Sequence, residues 1–348
     1  MSMLRTGFLS LMLVFCISQG SDAQVDNAMR KWNINGYVKD LQMVWDAGGD
    51  SKWITSNTLH NRLDFSWYPS NSISFKAGMR NRFIYGMLVQ EFNPFYSDFI
   101  DQDPGFMDLS WMISEDTSYL FHTLFDRMFF TWAHGDLEVS IGRQRINWGL
   151  NLVWNPNDIF NSFSYFDFDY EERPGSDAIQ IQYYTGMTSS LSLVGALNAD
   201  DQLTVAAMYR FNKWNYDFQL LGGYMPDDIV LGGGWAGQIA GGGFRGEGSW
   251  FIPRNDVDER QGQFVASVDG DYTLNNGLYF HLGALYNSLG KAGKAGGMSF
   301  WDTQNISAKM LSPARYSTFG QISYPFNPLI NGGLVAIMNP SDGSAYLG

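Results

Sequence analysis

Cysteine is almost missing: the 348-residue chain holds one, Cys16, so disulfide scaffolds and thiolate metal sites are excluded. Positive charge is scarce too, with 22 Lys and Arg against 35 Asp and Glu and a formal charge of −13. That sign repels a phosphate backbone and argues against nucleic-acid binding. The four histidines, His60, His122, His134 and His281, form no i, i+4 metal pair, and none sits in a nucleophile elbow. After residue 24 no apolar run is long enough for a transmembrane helix, which leaves strands as the only way to cross a membrane. Neither a Pro/Ser-rich linker nor an internal repeat divides the chain, so it reads as one domain and not as a propeller.

What is present starts with a leader. Arg5 gives a positive start, Phe8 to Ile17 an apolar core, and Ser21-Asp22-Ala23 a small-residue cleavage site. Residues 1–23 are therefore expected to be a signal peptide, and 24–348 the mature protein. The apolar core is about half of the ~20 residues that span a bilayer. Cys16 leaves with it.

From Trp32 onward, segments of roughly ten residues alternate polar and apolar, the period of a transmembrane barrel strand. Leu59, Leu63, Phe65 and Trp67 point one way, and His60, Arg62, Asp64 and Ser66 the other. After a tight turn at 69–72, Ile73, Phe75, Ala77, Met79 and Phe83 oppose Ser74, Lys76, Gly78, Arg80 and Arg82. Fifteen strands are predicted, near 32–45, 57–68, 73–85, 117–133, 137–145, 177–185, 190–198, 203–212, 215–224, 229–239, 243–252, 262–274, 277–287, 314–325 and 329–339. Short turns alternate with long connections at 46–56, 86–116, 146–176 and 288–313. This predicts an all-β fold: an antiparallel transmembrane β-barrel of about 16 strands, with long extracellular loops and short periplasmic turns. The chain stops just past a turn-like Asn339-Pro340-Ser341-Asp342-Gly343, so a closing strand is expected to be missing and the C-terminus truncated.

One long stretch, Ile141 to Asp177, is neither strand nor helix in pattern yet is dense in aromatics, which predicts an ordered, packed loop. Three runs stand out: Gly142-Arg143-Gln144-Arg145-Ile146-Asn147-Trp148-Gly149, Trp154-Asn155-Pro156-Asn157-Asp158 and Glu172-Arg173-Pro174-Gly175-Ser176-Asp177. With Leu311-Ser312-Pro313-Ala314-Arg315-Tyr316-Ser317 they resemble uncharacterised outer-membrane β-barrels of Gram-negative bacteria, akin to porin-like and alginate-export-type barrels. The resemblance covers most of the mature chain. It implies a location in the outer membrane, with lipid and the barrel-assembly machinery as partners, and it is compatible with an oligomer. No cofactor is implied.

The face opposite the apolar one carries the candidate pore lining: Arg62, Lys76, Arg80, Arg82, Arg127, Arg143, Arg145, Arg210 and Arg245. Such side chains are costly against lipid, about 2–4 kcal/mol at the midplane, and a basic ring guides anions. Equally, they could pair with Asp64, Asp126, Glu138, Asp217, Glu247, Asp269 and Asp271 as wall braces. The candidate constriction loop, 146–176, offers Trp148, Trp154, Asp158, Asp167, Asp169, Glu171, Glu172 and Arg173. Its alternating Asp167, Asp169 and Glu171 lack the glycine turn of a Ca²⁺ loop, so they read as a loop edge. Gly232-x-Gly234-x-x-Gly237 matches a dinucleotide fingerprint literally but lies in no βαβ unit; its glycines read instead as tight packing or lumen space. Gly290-Lys291-Ala292-Gly293-Lys294 lacks the Ser or Thr of a P-loop. For catalysis, only His281 near Ser267 suggests itself.

The sequence thus predicts a non-enzymatic outer-membrane channel or exporter for a small polar or anionic solute, narrowed by an inward-folded aromatic and acidic loop. The alternative is a surface or assembly protein with a plugged lumen. A lipid-modifying enzyme is the weakest reading.

Overall fold

The computed structural model describes residues 31–46, 53–162, 175–254, 261–293, 306–341 and 343–347. The expected signal peptide lies outside them. The chain divides into two compact units: Met1–His134 with Ser140–Gln144 and Asn198–Asp201, and Gly135–Val139 with Arg145–Leu197 and Gln202–Gly348.

In the first unit, β1 (Trp32–Asp46) pairs antiparallel with β2 (Trp53–Ser70), which pairs with β3 (Ile73–Tyr85). β3 in turn pairs with β5 (Tyr119–His134), and β4 (Ser110–Asp116) lies on the far side of β5. Alternation decides the faces. Leu59, Leu63 and Trp67 are exposed, while His60, Arg62, Arg80 and Arg82 are buried on the other side. The register sets Arg62 opposite Arg80 and His60 opposite Arg82. Like charges facing each other destabilise a sheet unless anions intervene.

The expected long loop 86–116 is not irregular throughout. It holds helices α1 (Met87–Phe92) and α2 (Phe95–Ile100) and the strand β4. Leu88, Val89, Tyr96 and Ile100 are buried on these helices, so apolar packing gives the segment its order.

β6 (Leu137–Gln144) leads on to the second unit. There β7 (Ser176–Gly186), β8 (Ser189–Leu197), β9 (Leu203–Lys213), β10 (Tyr216–Tyr224), β11 (Asp228–Ile239) and β12 (Gly242–Pro253) run in a meander, each antiparallel to the next. The meander continues through β13 (Gln263–Thr273), β14 (Tyr279–Asn287), β15 (Tyr316–Asn327), β16 (Ile330–Asn339) and β17 (Ser344–Leu347). Each of the fifteen predicted strands has its counterpart among the seventeen described. The two additions are β4 and β17, which are short. β17 places four residues beside β16 where no strand was predicted.

The two faces of the second unit differ sharply. Leu220, Leu231, Trp250, Phe264, Leu282, Ile322 and Leu334 are all exposed, Leu282 at 69% and Leu334 at 74%. Their neighbours one residue away, among them Gln219, Leu221, Val230, Ser249, Phe251, Val265 and His281, are buried. That buried face carries the core, and the loop after β6 covers it.

Candidate functional site

The loop starts by leaving β6 at Gln144 and laying residues 146–152 against the strands as an extended leg. Every second N–H of this leg is taken by a side-chain oxygen. The Ile146 N–H donates to Asn161 Oδ1 at 2.7 Å and that of Trp148 to Asp158 Oδ1 at 3.4 Å. The Leu150 N–H donates to Glu247 Oε2 at 3.2 Å and that of Leu152 to Asp269 Oδ2 at 2.8 Å. The first two acceptors belong to the returning leg, the last two to β12 and β13. A buried N–H without an acceptor costs about 1–3 kcal/mol, so the period-2 row of polar side chains replaces a partner strand.

The strands reach back as well. Gln219 Nε2 donates to the Trp148 carbonyl at 2.7 Å, Ser267 Oγ to that of Trp154 at 2.8 Å, and Arg210 Nη2 to that of Asn147 at 3.0 Å. Asn151 donates to Ser267 Oγ. Asn157 receives the Ser249 hydroxyl at 2.7 Å and gives its Nδ2 to the Gly233 carbonyl at 3.1 Å. Glycine makes this seat possible. A Cβ on Gly232 would stand 2.8 Å from Asn157 Oδ1, and one on Gly234 would stand 3.0 Å from Leu150. Of the two readings of these glycines from sequence, tight packing or lumen space, Gly232 and Gly234 follow the first, as the floor on which the loop rests.

Apolar contacts complete the strap. Ile146, Trp148, Val153, Trp154 and Ile159 join Phe251, Val265, Leu285, Phe319 and Ile337 in one buried cluster. Trp148 meets Phe160 edge-on at 5.1 Å and Trp154 meets Phe319 at 6.4 Å. Of the constriction-loop candidates, Trp148, Trp154 and Asp158 are buried here. Asp167, Asp169, Glu171, Glu172 and Arg173 lie outside the described residues, and so does the inwardness expected of that part of 146–176.

The candidate cations separate into groups. Arg62 is held by Asp64 at 3.0 Å and, through both terminal nitrogens, by Asp126 at 2.6 and 3.2 Å. Both acids are among the brace partners that the sequence offered. Asp126 arrives from β5, at a one-residue register shift opposite Gly78 and Met79. Arg143 meets Asp103 at 2.6 Å and the Met107 carbonyl, and Arg245 meets Asp269 at 2.7 Å and also Asp271. Arg127 donates to the Asp126 carbonyl at 2.7 Å, and Arg80 is buried. Lys76 and Arg145 are exposed. The structure therefore sets Arg62, Arg143 and Arg245 each on carboxylates at separate places, and engages Glu247 with the loop.

One cluster had no sequence signal. Arg82 Nη2 lies 3.0 Å from His122 Nδ1, and His122 Nε2 lies 2.7 Å from Ser110 Oγ, itself 3.1 Å from Asp101 Oδ1. A guanidinium only donates, so Nδ1 is bare and Nε2 carries the proton. His122 then donates to Ser110, which donates to Asp101. A hydrolytic Ser–His pair needs the opposite direction, with the ring accepting the serine proton. This chain of bonds braces the 86–116 segment. Ser267, whose hydroxyl serves Trp154, does not bond His281, which packs on Phe319 at 4.9 Å. Among the described residues no group of three His, Cys, Asp or Glu is placed to hold a metal ion.

Two units of antiparallel strands, each with an exposed apolar face and a buried face rich in polar groups, define the fold class of the porin-like β-barrels. A solved structure agrees on this. OmpF of Salmonella typhi, in complex with daunomycin, superposes with a TM-score of 0.51 at 12% identity, covering 90% of this chain and 91% of that one. A mutant porin of Rhodopseudomonas blastica gives 0.48 at 12%, covering 91% and 97%. At such identity the OmpF likeness speaks for the fold alone. No protein-family model and no curated protein sequence matches the chain.

Proposed function

We propose that the chain is an outer-membrane channel for small polar solutes, with 145–161 narrowing its water-facing side. The observation that carries this is the exposed apolar face of β8 to β16. Leu191, Leu220, Leu231, Trp250, Phe264, Leu282 and Leu334 form a continuous surface that water would not tolerate and lipid would cover. The porin-like fold and the polar, loop-bearing opposite face support the same reading. Lipid and the barrel-assembly machinery are then its partners, and an oligomer is compatible with it. Kinship with alginate-export-type barrels is part of the proposal and rests on the runs at 142–149, 154–158, 172–177 and 311–317. The anionic preference draws less support, because Arg62, Arg143 and Arg245 are bound by carboxylates. Guidance of anions would fall to the exposed Lys76 and Arg145. Purified protein in planar bilayers should give stepwise conductance. Leu282→Arg should block membrane assembly, at a cost of about 2–4 kcal/mol, whereas on a water-exposed face it would be harmless.

A second reading, a surface or assembly protein with a sealed lumen, is favoured by one observation: the apolar cluster around Trp148 and Trp154 fills the loop-bearing face. A folded barrel that never conducts would select it.

A further inference from the structure

Beneath the loop, at the turn end of β7 to β10, lies a cavity of about 250 Å³ lined by Leu150, Tyr184, Ser190, Arg210, Asp217 and Gln219, with the 186–189 turn as its rim. Drug-sized ligands need roughly 300–1,000 Å³, so this space takes something smaller. Two opposite charges stand in its wall without joining. Arg210 gives Nη2 to the Asn147 carbonyl at 3.0 Å, which leaves its Nη1 accessible and, among the described residues, unbonded. Asp217 is exposed and accepts the Asn212 side-chain amide at 2.8 Å. The register puts Gln219, and not Asp217, directly opposite Arg210. The two charged residues are therefore diagonal neighbours on one face, with Cα atoms about 7–8 Å apart, and each is held by its own hydrogen bond. An open cationic donor and an open anionic acceptor thus face one cavity with room between them.

The arrangement restricts the ligand. A simple anion would meet Arg210 but also the negative field of Asp158, Asp217 and Glu247, all of which act on that guanidinium. A simple cation would meet Asp217 and be repelled by Arg210. A zwitterion satisfies both: its carboxylate takes the open Nη1 in a charge-assisted bond, and its ammonium donates to the Asp217 carboxylate. Ser190, opposite Arg210 on β8, adds a hydroxyl to the same wall, and Leu150 and the Tyr184 ring offer apolar surface to a short side chain. We infer that this cavity is a binding site for a small zwitterionic α-amino acid, with its carboxylate on Arg210 and its ammonium on Asp217. This deepens the proposed function by naming a solute class, and rests on it only for the loop-bearing face meeting water.

The test is calorimetric titration of the full, detergent-solubilised chain with glycine, L-alanine and L-serine. N-acetyl-L-alanine, which lacks the ammonium, and L-alaninamide, which lacks the carboxylate, serve as comparison ligands. At least one amino acid should saturate, with Kd on the order of millimolar, and both comparison compounds should bind about tenfold more weakly. Asp217→Asn, at an exposed position, should weaken amino-acid binding about tenfold and narrow its advantage over N-acetyl-L-alanine, with circular dichroism unchanged. Arg210→Gln should weaken it at least as much, and the Asp217 variant carries the test if the Arg210 variant misfolds. No saturation by about 100 mM, equal affinity in the folded variants, or comparison compounds that bind as well as the amino acids would each overturn the inference. Saturable amino-acid binding by a chain that does not conduct would break the channel proposal and support this one; conductance without such binding would do the reverse.

Discussion

The two units finish the same kind of strand in different ways. Both alternate apolar and polar residues, and both bury the polar row. In the first unit the row is neutralised by charge: Arg62 by Asp64 and Asp126, Arg143 by Asp103, and Arg82 through His122 and Ser110 to Asp101. In the second the row is covered mainly by chain: Glu247, Ser249, Ser267 and Gln219 spend their hydrogen bonds on the loop, and Asp269 divides its two oxygens between Leu152 and Arg245. A buried charge pair is a fragile brace, because removing one partner strands the other. A strap that shares its bonds with apolar packing fails differently, by losing order in one segment.

The largest test of this contrast is Trp148→Ala. The side chain is 1% exposed, and its loss should cost about 3–5 kcal/mol. Limited proteolysis should then cut within 145–161 while the first unit stays resistant; resistance throughout would mean the strap does not depend on its apolar anchor. Next comes Asp126→Ala, expected to cost about 3 kcal/mol in denaturant unfolding because Arg62 is left half-paired. The double change Asp126→Leu with Arg62→Met should recover most of that loss, and failure to recover would show the pair to be more than a brace. Smaller is Gly232→Ala, whose new Cβ meets Ser249 Oγ at 2.7 Å and Asn157 Oδ1 at 2.8 Å. It should cost about 1–3 kcal/mol and raise proteolysis of the same loop. Smallest in stability is Lys76→Glu, within about 0.5 kcal/mol. It should nevertheless shift the reversal potential toward cations, most strongly at low salt. An unmoved potential would remove Lys76 from the solute's path.

Period-2 alternation made the fifteen long strands legible, because one buried face imposes it residue by residue. It failed for β4, where Met112 falls on the serine side of Ser110-Trp111-Met112-Ile113-Ser114 and breaks the pattern, and for β17, which is too short to show one. The packing of the described part of the loop, up to residue 162, could be read from its aromatics, Trp148 and Trp154 among them. Its acceptors could not, since Glu247 and Asp269 stand 97 and 117 residues from the amides they serve. Asp126 was legible as a brace partner but its place was not: it is the extra residue at the register shift between Gly78 and Met79, where it meets Arg62. Asp101 and Ser110 gave no warning because their partner His122 belongs to another strand and nothing in their spacing marks them.

Those same separations set an order of events. The leg at 146–152 is made early in the chain, yet half of its N–H acceptors arrive only with β12 and β13. Closing so long a span is entropically costly until the intervening strands have already shortened it. The strap is thus a latch whose catches, Glu247 and Asp269, lie 97 and 117 residues downstream of the amides they hold. A wall with a misplaced β12 would lack Glu247 at the seat, and the Leu150 N–H would lose its acceptor.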